Sequence, residues 1–194
     1  MKKVCLLFLL IASLGITAQT RFPALKISSS IKPDIEKIAQ DYYDHFFNIK
    51  GEKISETEST IEYNCKVKPA GALESTILQI KSIQNVYSWQ ALMLNTEDFE
   101  TAVAKYRQIY QQLNDASFAM YDNKTWKFKG AYDAPDEQRG FASSILEADA
   151  NEKYLKRLKI EVALNYNMSG WSVRILVYEK ESDADIRPSE KQEQ

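Results

Sequence analysis

Apolar and aromatic residues recur at helical spacing in two segments of this chain. Pro33 suits the first turn of a helix, and the apolar positions that follow it are Ile35, Ile38, Ala39, Tyr42, Phe46 and Ile49. A second set follows the polar stretch NTEDFE and comprises Phe99, Ala102, Val103, Tyr106, Tyr110 and Leu113. The two sets match position for position at a constant offset. They predict two similar amphipathic helices, the first of which ends at Asn48 or Gly51.

Alternation of apolar and polar residues predicts strands after each helix. The first helix is followed by STIEYNCKV, ALESTILQIKS and VYSWQALML, and the second by KTWKFKGAY, FASSILEAD and LKIEVALNYNMSGWSVRILVY. In the last of these, two alternating runs flank NMSG, a polar stretch that ends in glycine. This pattern is typical of a β-hairpin.

The two halves therefore share an order of helix, strand, glycine-led strand and tryptophan-led strand. We interpret this order as an internal duplication, with an ordinary α+β domain carrying two similar helices as the alternative. The predicted fold class is α+β: two helix-plus-three-strand units that form antiparallel sheet packed by two amphipathic helices. The first unit spans residues 31–95 and the second spans residues 96–180.

The two ends of the chain have a different composition. Residues 1–19 combine Lys2 and Lys3 with an apolar run too short for a bilayer span, which predicts a cleaved signal peptide and a periplasmic or extracellular location. Residues 20–30 are expected to be an irregular leader, and the polar residues 181–194 a disordered tail. No later run is long enough to span a membrane.

Charge and motifs exclude several classes of function. Cleavage would remove two of the 25 basic residues and none of the 27 acidic ones, leaving 23 against 27 and a net charge of −4. An acidic chain without a basic cluster is a poor candidate for nucleic acid. The sequence contains no phosphate-binding glycine motif, no zinc motif and no GxSxG, so we expect no cofactor and no metal. It does not specify an oligomeric state.

Two side chains with catalytic potential have simpler structural interpretations. His45 is the only histidine and lies beside the apolar face of the first predicted helix, where a boundary position explains it better than acid–base chemistry. Cys65 alternates with Ile61, Tyr63 and Val67 and is expected to be a buried strand residue rather than a nucleophile.

Two groups of residues are candidates for binding. Tyr43 and Phe47 form an aromatic column beside the core face of the first helix and, if exposed, would mark a ligand or partner surface. Asp133, Asp136 and Glu137 lie in the loop YDAPDEQRG, which the first half lacks. Loops on a repeated scaffold often carry function.

These observations favour an exported, non-catalytic binding or adaptor protein that engages a protein partner or a small apolar ligand. The first alternative is a hydrolase that uses the carboxylates of the loop 132–140. The second is a structural component of the cell envelope that is tethered by its tail.

Overall fold

The computed structural model of the chain describes residues 30–82, 85–120 and 124–180. The predicted signal peptide, all but the last residue of the leader and the predicted tail lie outside these residues. Within them the helices are α1 (Lys32–Asp41), a 3-10 helix (Tyr42–Asp44), α2 (Phe99–Leu113) and α3 (Lys153–Arg157). The strands are β1 (Lys50–Glu56), β2 (Thr60–Cys65), β3 (Glu74–Ile80), β4 (Val86–Thr96), β5 (Ala116–Ala119), β6 (Thr125–Lys129), β7 (Phe141–Ala148), β8 (Leu158–Asn167) and β9 (Gly170–Glu179).

All nine of these strands belong to one antiparallel sheet, in the order β1-β2-β3-β4-β9-β8-β7-β6-β5. Strands that follow one another in sequence are neighbours, except at the centre, where β4 pairs with β9. The strands that bear Trp89 and Trp171 are therefore hydrogen-bonded neighbours. The predicted hairpin is confirmed, because β8 and β9 pair from Leu158↔Glu179 to Asn167↔Gly170.

The predicted fold class is wrong. A single nine-stranded antiparallel sheet dominates the molecule, and the described helices are few and short. The prediction of two units with three strands each also fails, since four strands begin in residues 31–95 and five begin in residues 96–180. Strand β1 was missed because its residues, KGEKISE, are mostly charged and do not alternate.

The helices do not cover one half of the sheet each, as the unit prediction required. Helix α2 contacts β4, β8 and β9 at the centre of the sheet. Helix α1 instead contacts β5, where the side-chain amide of Gln40 donates to the carbonyl of Ala119 at 2.7 Å. The first helix of the chain therefore packs against a strand from the second half.

One face of the sheet forms the core. A row of fully buried side chains crosses five paired strands and consists of Ile77, Trp89, Val177, Ile160 and Leu146. We call this the helix face, because α2 packs on it through Ala102, Tyr106, Ile109 and Leu113. Burial of apolar area on this scale is the main stabilising contribution to such a fold.

The predicted first helix is too long. Helix α1 ends at Asp41, and the chain passes through the 3-10 helix into a loop that reaches β1 at Lys50. Apolar spacing continues to Ile49, and the side chains of Tyr42, Phe46 and Ile49 are buried as expected. A helix-like spacing was therefore produced by an irregular segment whose apolar residues also face the core.

Candidate functional site

The loop between α1 and β1 has a strained backbone at two adjacent residues. His45 and Phe46 have φ angles of 53° and 59°, in the left-handed region that bulky L-residues rarely occupy. Burial of the Phe46 side chain, which is fully inaccessible, offsets part of that cost. The reversal turns the chain out of α1 and presents the neighbouring side chains Tyr43 and Phe47 to solvent.

The carboxylate of Asp41 holds this loop in place. One of its oxygens accepts from the backbone N–H groups of Asn48 and Ile49 at 3.0 and 3.1 Å, and the other accepts from the Asn48 side-chain amide at 2.5 Å. Asp41 itself is buried. A buried carboxylate with three donors fixes the loop more firmly than neutral hydrogen bonds would.

The loop forms one wall of a groove of about 530 Å³, lined by Tyr43, Asp44, His45, Phe47, Asn48, Lys50 and Tyr87. Tyr87 comes from β4, two residues before the buried Trp89, so the floor of the groove continues the helix face of the sheet. The side chains of Tyr43 and Phe47 are 58% and 69% exposed. The groove is therefore a concave surface that combines aromatic rings with charged groups.

Three aromatic rings surround the ammonium group of Lys50. Its nitrogen lies 4.8 Å from the ring centre of Tyr63 and 5.7 Å from those of Phe47 and Tyr87. These distances are within the range of cation–π attraction. The backbone N–H of Lys50 donates to the carbonyl of Phe46 at 2.9 Å, which ties the start of β1 to the loop.

Aromatic contacts also fix the remaining rings of the groove. The His45 ring lies 5.2 Å from the ring centre of Tyr87, and Tyr43 meets Tyr154 of α3 edge to face at 5.8 Å. Desolvation, with the nearby Tyr63 as a smaller cause, raises the pKa of Tyr87. Its phenol therefore remains neutral at physiological pH.

The structure places Tyr43 and Phe47 together at the groove, but not in a helical column. Tyr43 belongs to the 3-10 helix and Phe47 follows the left-handed turn. Sequence reasoning missed Lys50, Tyr63 and Tyr87 as members of this site. These residues come from three different strands, and no local pattern in the sequence indicates that they meet.

The acidic loop 132–140 is a separate site, and it uses Asp133 for its own structure. One carboxylate oxygen of Asp133 accepts from the Arg139 guanidinium at 2.7 Å and from the Ser143 backbone N–H at 2.9 Å. The hydrogen bond from Arg139 is the main cause of the lowered pKa of Asp133. Asp133 is therefore an ionised structural anchor, which does not suit it to the role of a general acid.

The two other acidic candidates, Asp136 and Glu137, do not form a common site with Asp133. The Asp136 carboxylate accepts from the backbone N–H of Gln138 at 2.9 Å and closes a local turn. Glu137 is exposed. Beneath the loop, the buried Tyr106 and Ser144 hydroxyls are 2.6 Å apart, so the Ser144 hydroxyl is enclosed rather than offered to a substrate.

Cys65 lies in β2 as predicted and is half-buried rather than fully buried. Desolvation by burial raises the pKa of its thiol, which disfavours the reactive thiolate. Across residues 30–82, 85–120 and 124–180, no group of three or more histidine, cysteine or acidic side chains is placed to hold a metal ion.

Comparison with known proteins gives no match to a family model, to a curated protein or to a solved structure. In the described part of the chain, no helix has the length and apolar character needed to cross a bilayer.

Proposed function

We propose that this chain is an exported, non-catalytic binding protein whose ligand is a small molecule held in the groove between the loop 42–49 and β4. The proposal of export depends on residues 1–19 alone. The observation that supports binding is the exposure of two large aromatic side chains, Tyr43 and Phe47, at a concave surface.

Exposed aromatic rings at a concave surface favour binding for a physical reason. Such rings lose contact with water when a ligand covers them, and their rigid side chains lose little conformational freedom on binding. The strained turn at His45 and Phe46 adds support, because strained backbone often occurs at ligand sites.

The size of the groove favours a small molecule over a protein partner. Its volume of about 530 Å³ lies in the range of about 300–1,000 Å³ that is typical of small-molecule sites. The charged lining argues against the purely apolar ligand expected from the sequence, because Asp44 and Lys50 would lose solvation without gaining partners.

The arrangement of polar groups in the groove favours binding over catalysis. A nucleophile is activated by a base within hydrogen-bonding distance. The His45 ring contacts the Tyr87 ring, and no hydrogen bond joins it to a carboxylate or hydroxyl of the described residues. The Asp44 carboxylate lies instead at 3.5 Å from the Asn48 side-chain amide.

Native mass spectrometry of the protein, purified under native conditions from the organism that makes it, tests this proposal. We expect a mass excess of a few hundred daltons that disappears on denaturation. The excess should be lost in Phe47→Ser and kept in the control Met168→Ser, which removes an exposed apolar side chain from the β8–β9 turn.

Two results would overturn the proposal. An excess that is equal in wild type and Phe47→Ser would place the ligand outside the groove. An excess of several kilodaltons would show a protein partner instead of a small molecule.

A further inference from the structure

We propose that the ligand of the groove is an aromatic or other apolar molecule that carries one acidic group, and that Lys50 binds this acidic group. This inference rests on the proposed binding function and adds the chemical class of the ligand. Its starting point is the Lys50 ammonium, which lies among aromatic rings and has no anionic partner within residues 30–82, 85–120 and 124–180.

The ammonium of Lys50 has three hydrogen-bond donors. Within the described residues it forms no hydrogen bond and no ion pair, and its contacts are the rings of Phe47, Tyr63 and Tyr87. Its half-buried position limits its contact with water. The faces of these rings attract the charge but are poor hydrogen-bond acceptors, and no phenol oxygen of the described residues accepts from Lys50. An anionic ligand would therefore satisfy donors that the described residues leave open.

Two other lysines, one in β1 and one just after β3, lie close to a carboxylate and form ion pairs with it. Lys53 and Lys81 both form ion pairs with Glu56, at 2.6 and 2.7 Å. Their hydrogen bonds lower the pKa of Glu56 to about 2. Lys50 begins the same strand as Lys53, yet it lines the groove, and no acidic side chain in the part of the chain that the structure describes forms an ion pair with it.

The same rings exclude a cationic ligand. Clusters of aromatic rings often bind quaternary or primary ammonium groups. Here that position is filled by the chain's own Lys50, at 4.8 Å from the Tyr63 ring centre. A second cation would meet like-charge repulsion in a space that is already occupied.

The other ionisable groups of the groove limit the ligand to a single negative charge. Asp44 also lines the groove, yet it lies outside ion-pairing distance of Lys50 and so does not neutralise it. A second acidic group on the ligand would be repelled by Asp44. The apolar part of the ligand would cover the exposed rings of Tyr43 and Phe47.

Matched acid and amide probes test this inference. Indole-3-acetate and indole-3-acetamide share a ring and differ in charge, and NMR titration gives the dissociation constant of each. We expect wild type to bind the acid about tenfold more tightly than the amide, the ratio that one charge-assisted hydrogen bond provides. Lys50→Gln should lose this preference, while Lys50→Arg should keep it.

Lys53→Gln is the matched control, because Lys53 lies on the same strand and pairs with Glu56 outside the groove. It should bind both probes as wild type does, and thermal melting should show that each variant remains folded. Equal affinity for acid and amide in wild type, or an unchanged preference in Lys50→Gln, would overturn the acidic-ligand inference and leave the binding function standing. Absence of binding by both probes would count against the binding function itself.

Discussion

Asp41 is the residue on which the geometry of the groove depends most. Its buried carboxylate accepts from two backbone N–H groups and one side-chain amide across the loop 42–49. The loop includes two residues in the left-handed region, a conformation that persists only where its surroundings determine it. The three hydrogen bonds of the Asp41 carboxylate hold the loop in this conformation.

Replacing Asp41 with alanine should therefore destabilise the protein. The change leaves the N–H groups of Asn48 and Ile49 without an acceptor, and we expect a loss of about 2–4 kcal/mol in the free energy of unfolding. Urea denaturation measures this loss. The control is Asp44→Ala, because the Asp44 carboxylate is exposed and lies at a long distance, 3.5 Å, from the Asn48 side-chain amide. A similar loss in both variants would contradict the role of Asp41.

Asp133 was a candidate for carboxylate catalysis, but its hydrogen bonds give it a structural role that can be tested by itself. Its carboxylate pairs with Arg139 and accepts from the Ser143 backbone, and the pKa of Asp133 is lowered mainly by Arg139. A lowered pKa in the folded state stabilises the fold above the ordinary pKa of about 4. That contribution is lost as the pH falls through the folded-state value.

We therefore expect Asp133→Asn to lower the free energy of unfolding by about 1 kcal/mol at pH 7, a modest value because the ion pair is partly exposed. The difference from wild type should shrink below about pH 4. Denaturation curves at several pH values measure it. Glu137→Gln, at an exposed position, serves as the control and should be neutral. A difference that is constant between pH 7 and pH 3 would contradict the assignment.

At the scale of elements, the sequence predicted the hairpin and the second helix because their patterns are local. Strands β8 and β9 alternate on both sides of a polar turn, and α2 has a clear apolar face. The length of α1 could not be predicted in the same way. After Asp41 the chain enters the 3-10 helix and then the left-handed residues His45 and Phe46. The Asp41 carboxylate accepts hydrogen bonds across this turn from Asn48 and Ile49, which periodicity does not connect to it.

The junction of β6 and β7 requires a glycine for close approach. A Cβ atom added at Gly130 would lie 1.8 Å from the carbonyl oxygen of Ile145. The Gly130 backbone is also tied to α2, since its carbonyl accepts from the Tyr110 hydroxyl and its N–H donates to the Asn114 side chain. The backbone at this position therefore has little freedom to move.

Gly130→Ala should cost about 3 kcal/mol or more in the free energy of unfolding, because the strands must separate to admit a methyl group. Gly140→Ala is the control. Gly140 has a φ of 73° and open space around its Cβ position, so only the backbone strain of about 1–2 kcal/mol applies. Thermal or chemical denaturation compares the two. Equal costs would show that β6 and β7 are not as close as described.

At the scale of the whole molecule, the single sheet explains how the groove arises. Helix α2 covers the centre of the helix face, and α1 contacts β5 at the far edge from β1. The loop 42–49 therefore covers the helix face at β2 and β4. There the rings of Tyr63 and Tyr87 border the groove. The sequence predicted Tyr43 and Phe47 as binding residues. It could not predict that the loop carrying them lies over β2 and β4, because that position depends on the long-range packing of α1.

Binding in the groove and binding at the acidic loop would affect different residues. Two-dimensional amide NMR of the whole protein with indole-3-acetate distinguishes the two locations. We expect chemical-shift changes to concentrate in residues 43–50 and at Tyr87. Changes concentrated in residues 132–144, or no changes at saturating probe, would contradict binding in the groove.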